Sequence, residues 1–121
     1  VYFNLEVVMT RMWMTDESKI CRQHLLGEHK EIHQFVGTLR KKMKVDGYVK
    51  GNCIEIDSII SRHDSLVSEM QKRGYNHKSP IESEDEISKI VSYLPSEIKK
   101  FKIDRESSQI EIFRRCQHCR V

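Results

Sequence analysis

From about Asp16 to Met43 the chain carries one uninterrupted helical repeat: Cys21, Leu25, Ile32, Val36, Leu39 and Met43 recur at spacings of three to seven. Thr15 or Asp16 is placed to cap its start. A 28-residue stretch of this period cannot lie in a sheet, and its apolar stripe must be buried against other helices. Gly27 and Gly37 interrupt it at internal positions, where each costs about 1 kcal/mol relative to Ala and suggests close approach of another backbone or a local bend. A second helix is predicted from about Ser58 to Arg73, with Ile59, Ile60, His63, Leu66, Val67 and Met70 inward and Gly74 as its C-cap. Ile87, Ile90, Val91 and Leu94 define a short helix between the acidic run Glu82, Glu84, Asp85, Glu86 and Pro95. A last helix spans about Asp104 to Arg115, with Ile110, Ile112 and Phe113 as its apolar residues. Val45 to Asn52, with Gly47 and Gly51, reads as a loop. The expected fold is all-α: a single compact domain of four to five helices, with Val1 to Trp13 as an extended, strand-like arm.

With 121 residues, 38% apolar and 32% charged, the chain is long enough for one buried core, and charge-driven disorder is excluded by 21 basic residues set against 18 acidic ones. No apolar run approaches the roughly 20 residues of a membrane span. Val1 to Met9 lacks the basic start and small-residue cleavage site of a secretory signal, so a reducing, intracellular setting is expected. Residues 1–80 hold 13 of the basic and 10 of the acidic side chains, which places the whole +3 net charge in that part of the chain. Arg40, Lys41, Lys42, Lys44 and Lys50 form one basic group, and Lys72, Arg73, His77 and Lys78 another. Such groups suit an anionic partner such as nucleic acid, and equally a solvated helix end.

On the first helix His24, Glu28 and Glu31 stand at i, i+4 and i+7 and share a ridge beside the apolar stripe. An imidazole and two carboxylates so placed can perform acid–base chemistry. The alternative is that Glu28 is a buried strut paired with Arg11, Lys30 or another cation, and that Glu31 is exposed. Trp13, Tyr48 and Tyr75 are candidates for stacking on bases, or for capping the core.

Three segments together carry a family resemblance. Met9-Thr10-Arg11 is followed by Cys21-Arg22-Gln23-His24-Leu25-Leu26-Gly27-Glu28-His29-Lys30-Glu31-Ile32 and Val36-Gly37-Thr38-Leu39-Arg40-Lys41, and later by Lys72-Arg73-Gly74-Tyr75-Asn76. Over residues 9–80 the chain resembles the phage-type pyrimidine-dimer DNA glycosylase/AP lyases; residues 81–121 diverge. The resemblance implies an all-α enzyme that acts on double-stranded DNA through an N-terminal threonine amine and an imine intermediate, with no cofactor required. Transferred onto this sequence, the nucleophile is Thr10 and the acid/base is Glu31. Arg11, Gln23, His24, Lys30, Arg40, Lys41, Lys72, Arg73 and Tyr75 become the expected DNA contacts. Residues 1–8 then form an N-terminal extension, and Thr10 carries an amine only in a chain that begins there. Lys30 and Gln34 stand where the family has arginine, which loosens bidentate phosphate contacts. The family's aromatic, basic C-terminal segment is replaced by Phe113-Arg114-Arg115-Cys116-Gln117-His118-Cys119-Arg120.

The other reading in view is a non-catalytic DNA-binding protein on the same fold, its C-terminus clamped by zinc. Cys116 and Cys119 form one C-x-x-C, and Cys21 and His24 would complete four ligands if the C-terminus folded back onto the first helix. Otherwise Cys21 is a buried thiol and the C-terminal pair is exposed. A third option gives the first nine residues a role as a self-association arm.

Overall fold

The apolar stripe of the first repeat produces a 19-residue helix, α1 (Arg22–Arg40), that buries Leu25, Glu28, Ile32, Phe35, Val36 and Leu39 along one side. A computed structural model of the protein describes residues 10–77 and 79–119. The helix starts later than the repeat suggests. Asp16 caps only a separate 3-10 turn, Glu17–Lys19, and Ile20 is extended, so Cys21 becomes the N-cap of α1. Its C-terminal end turns at Lys42, which has a positive φ, so Met43 leaves the stripe and lies half exposed.

A single helical turn, α2 (Asp46–Lys50), occupies the segment expected to be a loop. Its glycines permit this because Gly51 takes the C-cap and Gly47 stands in open space. Next, α3 (Ile59–Lys72) buries Ile59, Arg62, His63, Leu66 and Met70 against α1, and these two helices form the central pair. Gly74 follows with φ of +85°, the left-handed conformation that ends a helix at least cost in glycine.

Ser83 starts α4 (Glu84–Ile90) with a reciprocal capping box to Glu86, so the acidic run is the first turn of a helix, as expected. After α5 (Ser96–Lys100), Asp104 caps α6 (Arg105–Arg115) by accepting the Ser107 N–H at 3.1 Å. On α6, Ile112 is buried while Ile110 faces solvent, since residues two apart lie on different sides of a helix.

Among the described residues there are six α-helices and no strand, a single all-α domain with one helix more than expected. No described helix is long and apolar enough to cross a membrane. Residues 1–9 of the expected arm lie outside the described residues. The described remainder, Thr10 to Trp13, is irregular and packs inward, with Met12 and Trp13 buried. Neither Gly27 nor Gly37 marks a close backbone approach: a methyl at Gly27 would meet only the Glu31 carboxylate, at 3.7 Å, and one at Gly37 nothing.

Glu55, buried just before the 3-10 turn Ile56–Ser58, ties the middle of the chain to the start of α6. It accepts the Ile103 N–H at 2.7 Å, a Ser58 hydroxyl, and both terminal nitrogens of Arg105. Burial by itself raises the Glu55 pKa, but Arg105, Ser58 and the Ile103 amide together outweigh it and hold the carboxyl at about 2. Because the folded-state pKa lies below the unfolded one, this contribution is complete above about pH 4.5 and is lost as pH falls toward 2. It amounts to at most about 3 kcal/mol. Urea titrations of wild type and Glu55→Gln should therefore differ most near neutral pH and converge in acid. An equal gap at both pH values would refute this assignment.

Candidate active site and thiol cluster

Two carboxylates one turn apart on α1 hold the segment that runs from Thr10 toward Met14. The Arg11 backbone N–H donates to Glu31 Oε1 at 2.7 Å, and the Met14 N–H reaches Glu28 Oε2 at 3.5 Å. Between them the Met12 N–H donates to the Cys53 carbonyl at 2.7 Å. Met14, directly after these contacts, has φ of +56°. Half-buried Thr10 is thereby fixed one peptide away from the Glu31 carboxylate.

The two carboxylates differ in surroundings. Glu28 is 1% exposed and receives Arg62 Nε at 2.7 Å and Nη2 at 2.9 Å, a bidentate pair between the central helices. It is the buried strut, and the cation is neither Arg11 nor Lys30. Arg62 was detectable in the sequence, since it shares the inward face of Ile59, His63 and Leu66. Glu31 is half-buried rather than exposed. Its pKa lies above the ordinary glutamate value chiefly through burial, against which the Arg11 N–H works, with nearby Glu28 adding to the rise. A half-buried carboxyl with no ion pair among the described residues is suited to exchanging protons.

The expected DNA contacts fall into two groups. Gln23, Lys30, Lys41 and Lys72 are exposed, and Gln23 and Lys30, seven residues apart on α1, share a face. Others are engaged within the protein. Arg40 pairs with Glu82, and Arg73 bonds Glu69 and the carbonyls of Glu17 and Ile20. The Arg11 guanidinium turns inward to the Gly51 carbonyl and the Cys53 sulfur, and stacks over Trp13 at 4.6 Å. With Arg115 it lines a cavity of about 260 Å³. Tyr75 is half-buried under Arg22, 5.4 Å from its ring. Trp13 is 5% exposed and Tyr48 packs edge-on against Phe35, so both cap the core rather than offering faces to bases.

The C-terminus does fold back onto the first helix. Cys119 is fully buried and Cys116 half-buried, so the C-terminal pair is not exposed. The Cys21 sulfur lies 3.9 Å from Cys116 Sγ and 3.2 Å from His24 Nδ1, while Cys119 Sγ is 3.3 Å from the same nitrogen. The Cys21 N–H donates to Cys119 Sγ at 3.1 Å. The four potential ligand atoms lie within 4.8 Å of one another. A sulfur pair at 3.9 Å is far beyond a disulfide. It is, however, close to the edge of a tetrahedron with Zn–S bonds of about 2.3 Å, roughly 3.8 Å.

Burial, with the positive charge of Arg115, keeps the His24 pKa below the usual histidine range, which favours the neutral, metal-ligating form. Burial also raises Cys21, but backbone and thiol hydrogen bonds from His24, Cys119, Cys116 and Gln23 prevail, and its pKa is lowered at the helix N-terminus. Cys119 is pushed up to about 12, mainly by burial. This Cys₃His arrangement can bind a metal ion such as zinc. It places His24 Nδ1 between the Cys21 and Cys119 sulfurs.

A family model described as pyrimidine dimer DNA glycosylase matches residues 10–83 of the chain. Comparison with curated proteins and with solved structures gives no match.

Proposed function

Because the chain belongs to the pyrimidine dimer DNA glycosylase family, we propose that it excises damaged bases from duplex DNA and then cleaves the strand as an AP lyase, using the α-amine of Thr10. The observation that carries this reading is the 2.7 Å hydrogen bond from the Arg11 N–H to Glu31, which anchors the start of the segment beside a proton-exchanging carboxylate. The active form begins at Thr10. An α-amine has a reference pKa of about 7.7–8.0, so a useful fraction is neutral and nucleophilic near pH 7.

In this mechanism the amine nitrogen bonds to C1′ of the damaged nucleotide as the glycosidic C1′–N bond breaks. The base departs and the ring-opened sugar is held as an imine. Glu31 relays the protons of imine formation and then removes one from C2′, which expels the 3′ phosphate by β-elimination. Lys30, Lys41 and Lys72 hold phosphates, as cationic side chains do while a nucleotide is drawn out of the stack. The Cys21, His24, Cys116 and Cys119 cluster binds structural zinc and clamps the C-terminus to α1. Cys21, His24, Cys116 and Cys119 would hold such an ion as four protein ligands, the set of a structural site.

Borohydride capture tests the mechanism. Chain beginning at Thr10 and chain beginning at Val1 are each incubated with borohydride and a duplex carrying an abasic site or a cyclobutane dimer. A covalent adduct is expected only with the shorter chain. Absence of an adduct with both chains on both duplexes would leave the non-catalytic DNA-binding reading, for whose zinc-clamped C-terminus Cys21, His24, Cys116 and Cys119 supply the ligands.

A further inference from the structure

Four of the six histidines converge at a second place on the central helix pair. His29 and His33 stand one turn apart on α1, His63 comes from α3, and His77 comes from the segment after Gly74. The ring centre of His29 lies 4.9 Å from that of His33 and 5.0 Å from those of His63 and His77. His63 in turn lies 5.1 Å from His33 and 5.2 Å from His77. One ring nitrogen from each of His29, His63 and His77 lies within 4.8 Å of the others. Four of these five ring pairs meet edge-on, so flat stacking does not account for the gathering.

The hydrogen bonding is more decisive. Nε2 of His29, of His33 and of His77 is buried with no partner among the described residues. Single orphans of this kind are uncommon in folded proteins, and three from neighbouring rings point to one shared partner. His63 has its Nδ1 3.0 Å from Asp64 Oδ1 and its Nε2 3.2 Å from the Ser79 carbonyl. Both of those oxygens accept, and an imidazole that binds a metal keeps only one proton. With that proton on Nδ1 and directed to Asp64, Nε2 is left with a lone pair, the carboxylate–histidine pairing that orients metal ligands.

We propose that His29, His33, His63 and His77 bind a divalent transition-metal ion of the imidazole-preferring class, zinc foremost, separate from the cysteine cluster. Metal–nitrogen bonds of about 2.0–2.1 Å require ligand nitrogens roughly 3.3 Å apart. His29, His63 and His77, whose nitrogens lie within 4.8 Å of one another, reach that spacing by small inward movements, and the orphan Nε2 of His33, on a ring centred 4.9 Å from that of His29 and 5.1 Å from that of His63, supplies the fourth ligand. Four protein ligands close the coordination shell, which makes the site structural. Its effect is to fasten the segment around Tyr75 and His77, which has no helix of its own, onto α1 and α3.

Cobalt(II) tests the proposal, because thiolate ligands give it an intense charge-transfer absorption whereas four imidazoles give only weak ligand-field bands. Untagged full-length protein is stripped with chelator under reducing conditions, refilled with cobalt(II), and compared with the His29→Asn/His77→Asn double variant. Wild type is expected to bind two cobalt ions per chain, one of them adding no charge-transfer absorption, and the double variant is expected to lose that one alone. One cobalt without charge transfer, lost in the double variant, would uphold the histidine site and remove the cysteine site. A single cobalt with full thiolate absorption in wild type, two ions that both survive the double variant, or no bound cobalt at all would overturn the proposal. Should the double variant not fold, the wild-type titration decides by the same criterion: a second equivalent without charge transfer, or none.

Discussion

Glu31→Gln, made in the chain that begins at Thr10, is expected to lower strand cleavage at an abasic site by about 10²–10⁴-fold, the usual worth of a positioned acid/base. Glutamine keeps the shape and still accepts the Arg11 N–H through its carbonyl oxygen, so the segment near Thr10 stays in place while the proton carrier is lost. Binding to the same duplex should change little, because the proposed phosphate contacts, Lys30, Lys41 and Lys72, are exposed lysines that the substitution leaves in place. Burial lifts the Glu31 pKa above the ordinary value, so the acid limb of the wild-type rate profile should lie at higher pH than that of a solvent-exposed glutamate. Single-turnover cleavage and a binding titration on one substrate separate these effects. Activity within threefold of wild type would remove Glu31 from the mechanism.

The largest expected loss of stability follows from breaking the Glu28–Arg62 pair. Both side chains are almost fully buried, and their two hydrogen bonds at 2.7 and 2.9 Å join α1 to α3. Arg62→Met leaves an uncompensated carboxylate in the core and is expected to cost about 3–5 kcal/mol. Replacing both, as Glu28→Leu with Arg62→Met, removes two desolvated charges together and should cost clearly less than the single change. Urea unfolding of the three proteins gives the comparison. If the single variant unfolded within 1 kcal/mol of wild type, the pair would not be the strut described here.

Legibility in the sequence followed the range of the interaction. A period of 3.6 is a local property, and by itself it places the bodies of α1 and α3 and turns His63 inward. Gly74 ending α3 and the acidic start of α4 are equally local, since a cap is fulfilled within a few residues. Where local signals competed the reading erred. A single turn at Asp46–Lys50 tolerated Gly47 within it and Gly51 at its C-cap, and Ile20 adopted an extended conformation that divided the expected first helix from its cap.

Periodicity identifies the side of a helix that is covered but not the side chain that covers it. The sequence by itself determined the all-α class, the family motifs and the ridge that carries Glu28 and Glu31. Only the tertiary structure decided that Arg62, 34 residues away, neutralises Glu28, while Glu31 keeps only a backbone N–H. The same holds for the return of Cys116 and Cys119 to Cys21 and His24, about 95 residues back, and for the four-histidine cluster. Those histidines read separately as one pair on α1, one inward ring on α3 and one loop residue. Packing α1 against α3 and turning the chain at Gly74 brings their nitrogens together, and no local propensity encodes that distance.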